Sequence, residues 1–124
     1  HYSFMVFGHS RIPISSWLRS KAQESMTHAE EAGELITHLG GHPSLKIGPL
    51  LETEKHSVND ILKESLEHEQ SHLNLYYDLL ELVENKNIML EEYARTKIHT
   101  EELHLGEADK MLRHPGDLAP YSGK

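Results

Sequence analysis

Two short motifs carry residue types and spacing that could do chemistry: Glu69-Gln70-Ser71-His72 and Glu101-Glu102-Leu103-His104. In each, a carboxylate precedes an imidazole by three residues. On an α-helix that spacing puts both groups on one face. The face is what matters. Leu90, Ala94, Ile98, Leu105, Ala108, Met111 and Leu112 recur at helical period, and Glu101 and His104 fall on the same stripe. Val58, Ile61, Leu62, Ser65, Leu73, Tyr76, Leu79, Leu80 and Val83 do the same around Glu69 and His72. A carboxylate on a core-facing stripe is costly unless it meets a cation or a hydrogen-bond network. Glu-x-x-His pairs aimed into a helix bundle are one way of holding a metal. A third helical segment adds His28 on its stripe, with Glu24 one turn earlier on the margin. Carboxylate oxygen and imidazole nitrogen, without sulfur, suit iron, manganese or zinc.

The plainer reading of each motif stands beside this one. The chain has eleven His, so some Glu-x-x-His spacings arise by accident. A single His on an apolar face is more often a hydrogen-bonded core histidine, and structural networks also gather such groups. Two on-stripe pairs on helices that must be neighbours tip the balance, because burying several ionisable groups without a cation is hard to stabilise. Glu30-Glu31, Glu81, Glu84 and Glu91-Glu92 read as solvated faces, and Tyr76 and Tyr77 as packing.

The elements that must position these groups follow from periodicity and punctuation. The run from His1 to His9 reads as the end of a buried helix, with Tyr2, Phe4, Met5, Val6 and Phe7 inward, closed by Gly8, Ser10 and Pro13. A second helix is expected from about Ile14–Ser16 to Leu39. Its stripe is Ile14, Trp17, Leu18, Ala22, Ser25, His28, Ala29, Ala32, Leu35, Ile36 and Leu39, and Gly40-Gly41 and Pro43 stop it. From His42 to His56, Pro43, Gly48 and Pro49 surround an apolar patch of Leu45, Ile47, Leu50 and Leu51, which reads as a long crossover lying along a bundle. Ser57 is a candidate N-cap for a third helix ending near Glu84. Asn85-Lys86-Asn87 is short enough to force the fourth helix, Ile88 to about Arg113, to return antiparallel. No strand signal is present. The expectation is an all-α four-helix bundle over residues 1–113 with a tail at 114–124.

Composition excludes several function classes. A chain of 124 residues suits one domain with a single core. Its net charge is −8 and its basic residues are scattered, which is no footprint for nucleic acid. No apolar run approaches the roughly 18 residues that a membrane span needs, and no secretory leader is evident. With no Cys there is neither a thiolate metal site nor a Cys nucleophile, which fits a reducing, cytoplasmic setting.

With these residues in view, the chain resembles the ferritin-like superfamily, and within it most closely bacterioferritin. The stretch Met26-Thr27-His28-Ala29-Glu30, with the exit Gly41-His42-Pro43-Ser44-Leu45, resembles the second helix of that family. Val58-Asn59-Asp60-Ile61-Leu62 through Glu69 resembles its third helix, and Glu101-Glu102-Leu103-His104 its fourth-helix ligand motif. Glu69 and His72 together are also similar to rubrerythrins. The resemblance implies a ferritin-like four-helix bundle with one long crossover, its first helix only partly present from His1 onward. It also implies a di-iron centre and oxidation of Fe(II) to Fe(III) for iron storage or detoxification. The implied assembly is a homo-oligomer, at least a dimer and in some members a cage. The expected ligands are Glu24, His28, Glu69, His72, Glu101 and His104, and Met26 stands where the family has a haem-ligating methionine at a dimer interface. One departure is plain: where the family places a bridging Glu, this chain has Ser25, and a hydroxyl is a poor substitute. Two other readings stay open, a rubrerythrin-like peroxidase or oxygenase that uses His72, and a structural subunit without catalysis.

Overall fold

A computed structural model describes residues 1–123. Four α-helices, α1 Tyr2–Met5, α2 Arg11–His38, α3 Val58–Val83 and α4 Ile88–Leu112, are joined by irregular segments, with no strand among the described residues. The chain divides into two compact units, His1–Val58 and Asn59–Lys124.

In the first unit α2 begins earlier than periodicity suggested, at Arg11, with Ser10 in the N-cap position. Pro13 therefore lies within the first turn instead of ending the preceding segment. The physical reason is that a first-turn N–H has no intrahelical partner to lose, so proline is tolerated there. The segment before it is only partly inward. Ser3 and Val6 are buried, whereas Phe4 and Phe7 are exposed. The Ser15 hydroxyl donates to the Ser3 carbonyl at 3.0 Å, which ties α1 to the start of α2.

The C-terminus of α2 closes with two backbone bonds, from the Gly40 N–H to the Thr37 carbonyl at 3.0 Å and from the Gly41 N–H to the Ile36 carbonyl at 2.8 Å. This Schellman arrangement requires a left-handed residue, and Gly40 supplies it at φ 81°. The crossover that follows has no regular structure over residues 42–56. Its apolar patch does not pack within the chain as expected: Leu45, Ile47, Leu50 and Leu51 are all exposed, Leu45 by 94%. With Pro43 and Pro49 interrupting any period, the segment cannot aim these side chains to one side.

The inward face of α2 is also rotated from the expected one. Ile14 is buried, and Trp17, Leu18, Lys21, Glu24, His28, Ala32 and Leu35 are half-buried, while Ala22, Ser25 and Ala29 are exposed. Alanine and serine carry little apolar area, so at about 25 cal/mol per Å² they do not decide which face turns in; Trp17, Leu18 and Leu35 do.

The second unit is a helical hairpin. Asn87 caps α4 by accepting the Leu90 N–H at 3.1 Å, and the Asn85 N–H donates to Glu91 at 2.9 Å. Arg95 bridges the turn, reaching Glu84 at 2.8 Å and Glu91 at 3.1 Å. The Asn85 N–H and then Arg95 hold the Glu91 carboxyl below its ordinary range. Tyr76 and Tyr93 meet edge to face with centroids 6.2 Å apart, and the Tyr77 hydroxyl donates to Glu102 at 3.1 Å. The core of this unit is Ile61, Leu62, Leu73, Val83, Ala94 and Ala108. Ile61 and Leu62 are almost wholly buried, each stabilising by roughly 1.5–3 kcal/mol. The tail folds back on α4: the Tyr121 N–H donates to Asp109 at 2.7 Å, and Arg113 donates to Asp109 at 2.7 Å and to the Leu118 carbonyl at 2.9 Å.

Candidate metal centre

The hairpin sets the register of the site. From the Tyr76–Tyr93 contact, Glu69 lies seven residues back along α3 and Glu101 eight residues on along α4. At 1.5 Å per residue these offsets are about 10 and 12 Å in the same direction, so the two carboxylates arrive at one level of the hairpin. His104 follows Glu101 by one turn on the same face.

The ligand atoms of Glu69, Glu101 and His104 all lie within 4.8 Å of one another. Glu101 is 2% exposed, and Glu69 and His104 are half-buried. Glu101 Oε2 faces His104 Nδ1 at 3.5 Å, the range of an ion pair and too long for a good hydrogen bond. Tetrahedral ligands about 2.1 Å from a metal stand about 3.4 Å apart, so side-chain movements of an ångström or less would let these atoms share one ion. The chemistry of the donor set fits as well. Two carboxylates at close range repel, and a divalent cation between them removes that repulsion while the imidazole adds a neutral donor.

The other expected ligands are placed as follows. His72 is half-buried, its ring 4.1 Å from that of His68, and it is not among the atoms that converge with Glu69. In the first unit Glu24 and His28 are both half-buried, one turn apart on the inward face of α2, and Lys21 donates to Glu24 at 3.2 Å. The Glu24 side chain is 34% exposed, which keeps it at the margin of the half-buried side. Ser25, three residues before His28 on the same helix, is exposed. Met26 is 60% exposed and points away from the core.

Two buried charged residues escaped the sequence reading. Lys97 and Glu64 are both buried. Lys97 lies one turn before Glu101 on the same face of α4, with its ammonium 5.6 Å from the Tyr93 ring centroid. A signal for it existed. Positions 90, 94, 97, 101, 104 and 108 form one unbroken helical row, and a Lys inside such a row is as anomalous as the Glu four residues later.

Comparison with known proteins bears on the family and the fold. The sequence model of the ferritin-like domain family matches residues 1–115. No curated protein matches the chain significantly. Among solved structures, a protein titled ferritin-like, diiron-carboxylate, from Bacillus anthracis strain Ames, superposes with a TM-score of 0.83. The two are 24% identical, and the match covers 91% of this chain and 81% of the other. At that identity the likeness speaks for the fold, which is all-α and ferritin-like.

Proposed function

This chain belongs to the ferritin-like domain family, and from that membership we propose that it binds non-haem iron and oxidises Fe(II) to Fe(III) in iron storage or detoxification. The observation that carries the reading is the convergence of Glu69, Glu101 and His104 in a largely buried position. Iron supplies the redox chemistry, each Fe(II) giving up one electron to O2 or peroxide. The protein's part is electrostatic. The carboxylates of Glu69 and Glu101 neutralise the cation and favour the ferric state, which carries the larger charge. His104 completes the coordination as a neutral donor, and burial of Glu101 strengthens each of these interactions by keeping water away. Glu24 and His28 share a face of α2 and are proposed as donors to a second iron, with Glu24 in the carboxylate role that the family gives to the position of Ser25. The peroxidase alternative would use His72, half-buried beside His68, as a further ligand.

Assembly into a homo-oligomer belongs to the same proposal. Phe4, Phe7, Leu45, Ile47, Leu50, Leu75 and Leu82 are all exposed on the single chain, and side chains of this kind are suited to burial between subunits. The exposure of Met26 suits either packing or haem ligation at a subunit interface, and a Soret band in protein made with ample haem decides between them. No helix among the described residues is long and apolar enough to cross a membrane; a cytoplasmic location is part of the same proposal and rests on family membership.

The test is aerobic addition of Fe(II), following ferric absorbance over several turnovers. The proposal expects oxidation faster than the buffer control and a large loss of rate in Glu101→Ala. Equal rates in parent and variant would refute it. Peroxide consumption that depends on an external reductant would favour the peroxidase instead.

A further inference from the structure

A second group of metal-ligating side chains lies within the first unit. His1, Glu52 and His56 bring two imidazoles and a carboxylate together, with all ligand atoms within 4.8 Å of one another. His1 Nε2 is 3.0 Å from Glu52 Oε2, and His56 Nε2 is 3.9 Å from Glu52 Oε1. These separations bracket the spacing of about 3.4 Å expected for tetrahedral ligands about 2.1 Å from a metal. We propose that His1, Glu52 and His56 form a surface site for a divalent transition-metal ion of the zinc class.

Three features support a built site over a chance meeting of exposed side chains. The first is that the carboxylate is held from behind. The Tyr2 hydroxyl donates to Glu52 Oε1 at 3.2 Å and the Glu54 N–H donates to the same oxygen at 2.7 Å. Partners of this kind orient a ligating group and are half of what a metal site consists of. The second is that the backbone is bent to deliver that N–H. Glu54 adopts φ 56°, a left-handed conformation that a non-glycine residue rarely takes up, and functional sites are where such conformations gather. The third is that the rings lie in series. The Tyr2 ring stands edge-on to His56 at 6.1 Å and lies 5.5 Å from His1, so the two imidazoles flank a common aromatic wall.

Two His and one carboxylate leave a fourth position open to water, the ligand set of zinc sites that bind or activate a small molecule and of non-haem Fe(II) sites with open positions. The site also has a structural consequence. Its ligands come from either end of the first unit's sequence, so a bound ion would clamp the crossover, which otherwise carries exposed leucines and no regular structure, against the segment before α2.

The proposal is tested by calorimetric titration with Zn²⁺ on the full chain carrying Glu101→Gln, which disables the hairpin centre. One zinc per chain is expected. His56→Ala, or the conservative Glu52→Gln, should abolish measurable binding, and Tyr2→Phe, which removes only the supporting hydroxyl, should weaken it about tenfold. Glu52 and His56 are exposed, so their metal-free variants should melt like the parent. Limited proteolysis across residues 42–56 should slow with zinc in the parent and not in His56→Ala. Absence of zinc binding in the parent, or binding unchanged by His56→Ala and Glu52→Gln, would overturn the assignment and leave the cluster as a hydrogen-bonded clasp. Fe(II) in place of Zn²⁺, under anaerobic conditions, shows which of the two ions the same donors prefer. The result does not bear on the hairpin centre, and failure of that centre would not bear on this site.

Discussion

Glu101→Gln separates a carboxylate kept for a metal from one kept for the fold. The side chain is almost fully buried, and glutamine preserves its volume and one acceptor while removing the charge. A ligand that binds only the folded state stabilises it by RT ln(1 + [L]/Kd), about 2.7 kcal/mol at a hundredfold excess over Kd. With about 2.1 cal/mol/K of unfolding entropy per residue, a chain of 124 residues should gain about 10 °C in Tm from that amount. The assay is differential scanning fluorimetry with and without Mn²⁺, a non-oxidising stand-in for Fe(II), in a His56→Ala background so that the surface cluster adds nothing. The parent should show most of this upward shift. Glu101→Gln should show less than a fifth of it, because removing a charged ligand leaves one carboxylate and one imidazole. A variant that retains the full metal-induced shift would refute the role given to Glu101.

Other outcomes follow from the same geometry. Ser25→Glu should leave iron stoichiometry and oxidation rate unchanged, because Ser25 is exposed, whereas Glu24→Gln should lower the iron bound per chain; gain of iron in Ser25→Glu would return the bridging role to that position. Asn87→Ala deletes the cap on α4 and should cost about 1 kcal/mol, read as a lower urea midpoint at unchanged m-value. For Asp109, burial pushes the carboxyl up, but the Tyr121 N–H and Arg113 outweigh it, and its pKa is lowered. A lowered carboxylate pKa means that the native state binds fewer protons than the unfolded one, so the stabilisation is complete above the unfolded value and fades as pH falls through the native one. The Tm gap between the parent and Asp109→Asn should therefore be full at pH 5–6 and close below the ordinary carboxylate range of about 3.9; a gap that persists at pH 2 would mean the tail is held in another way.

Much of this architecture was legible in the chain because the signals were energetic ones. Leu and Ile at helical period located α3 and α4, and three polar residues left no choice but an antiparallel return, which is why Glu69 and Glu101 could be paired before any coordinates. The face of α2 was misread where the sequence is weakest. Ala22, Ser25 and Ala29 are small enough to suit either side, and the larger Trp17, Leu18 and Leu35 set the half-buried one. The start of α2 lies earlier than periodicity suggests because the first helical turn accepts a proline. Lys97 was passed over because lysine is usually solvated, although its row position matched that of Glu101. The His1, Glu52 and His56 cluster was invisible for another reason: residues about fifty positions apart meet through an irregular crossover that has no period to read.

The central claim is that Glu69, Glu101 and His104 hold a metal. Anomalous diffraction from crystals grown with Mn²⁺, collected on the high-energy side of the manganese edge, tests it most directly. The account predicts a peak within about 2.5 Å of an oxygen of Glu69, an oxygen of Glu101 and a nitrogen of His104. Well-ordered side chains at these three positions with no anomalous peak between them, at a manganese concentration that saturates the thermal shift, would contradict it.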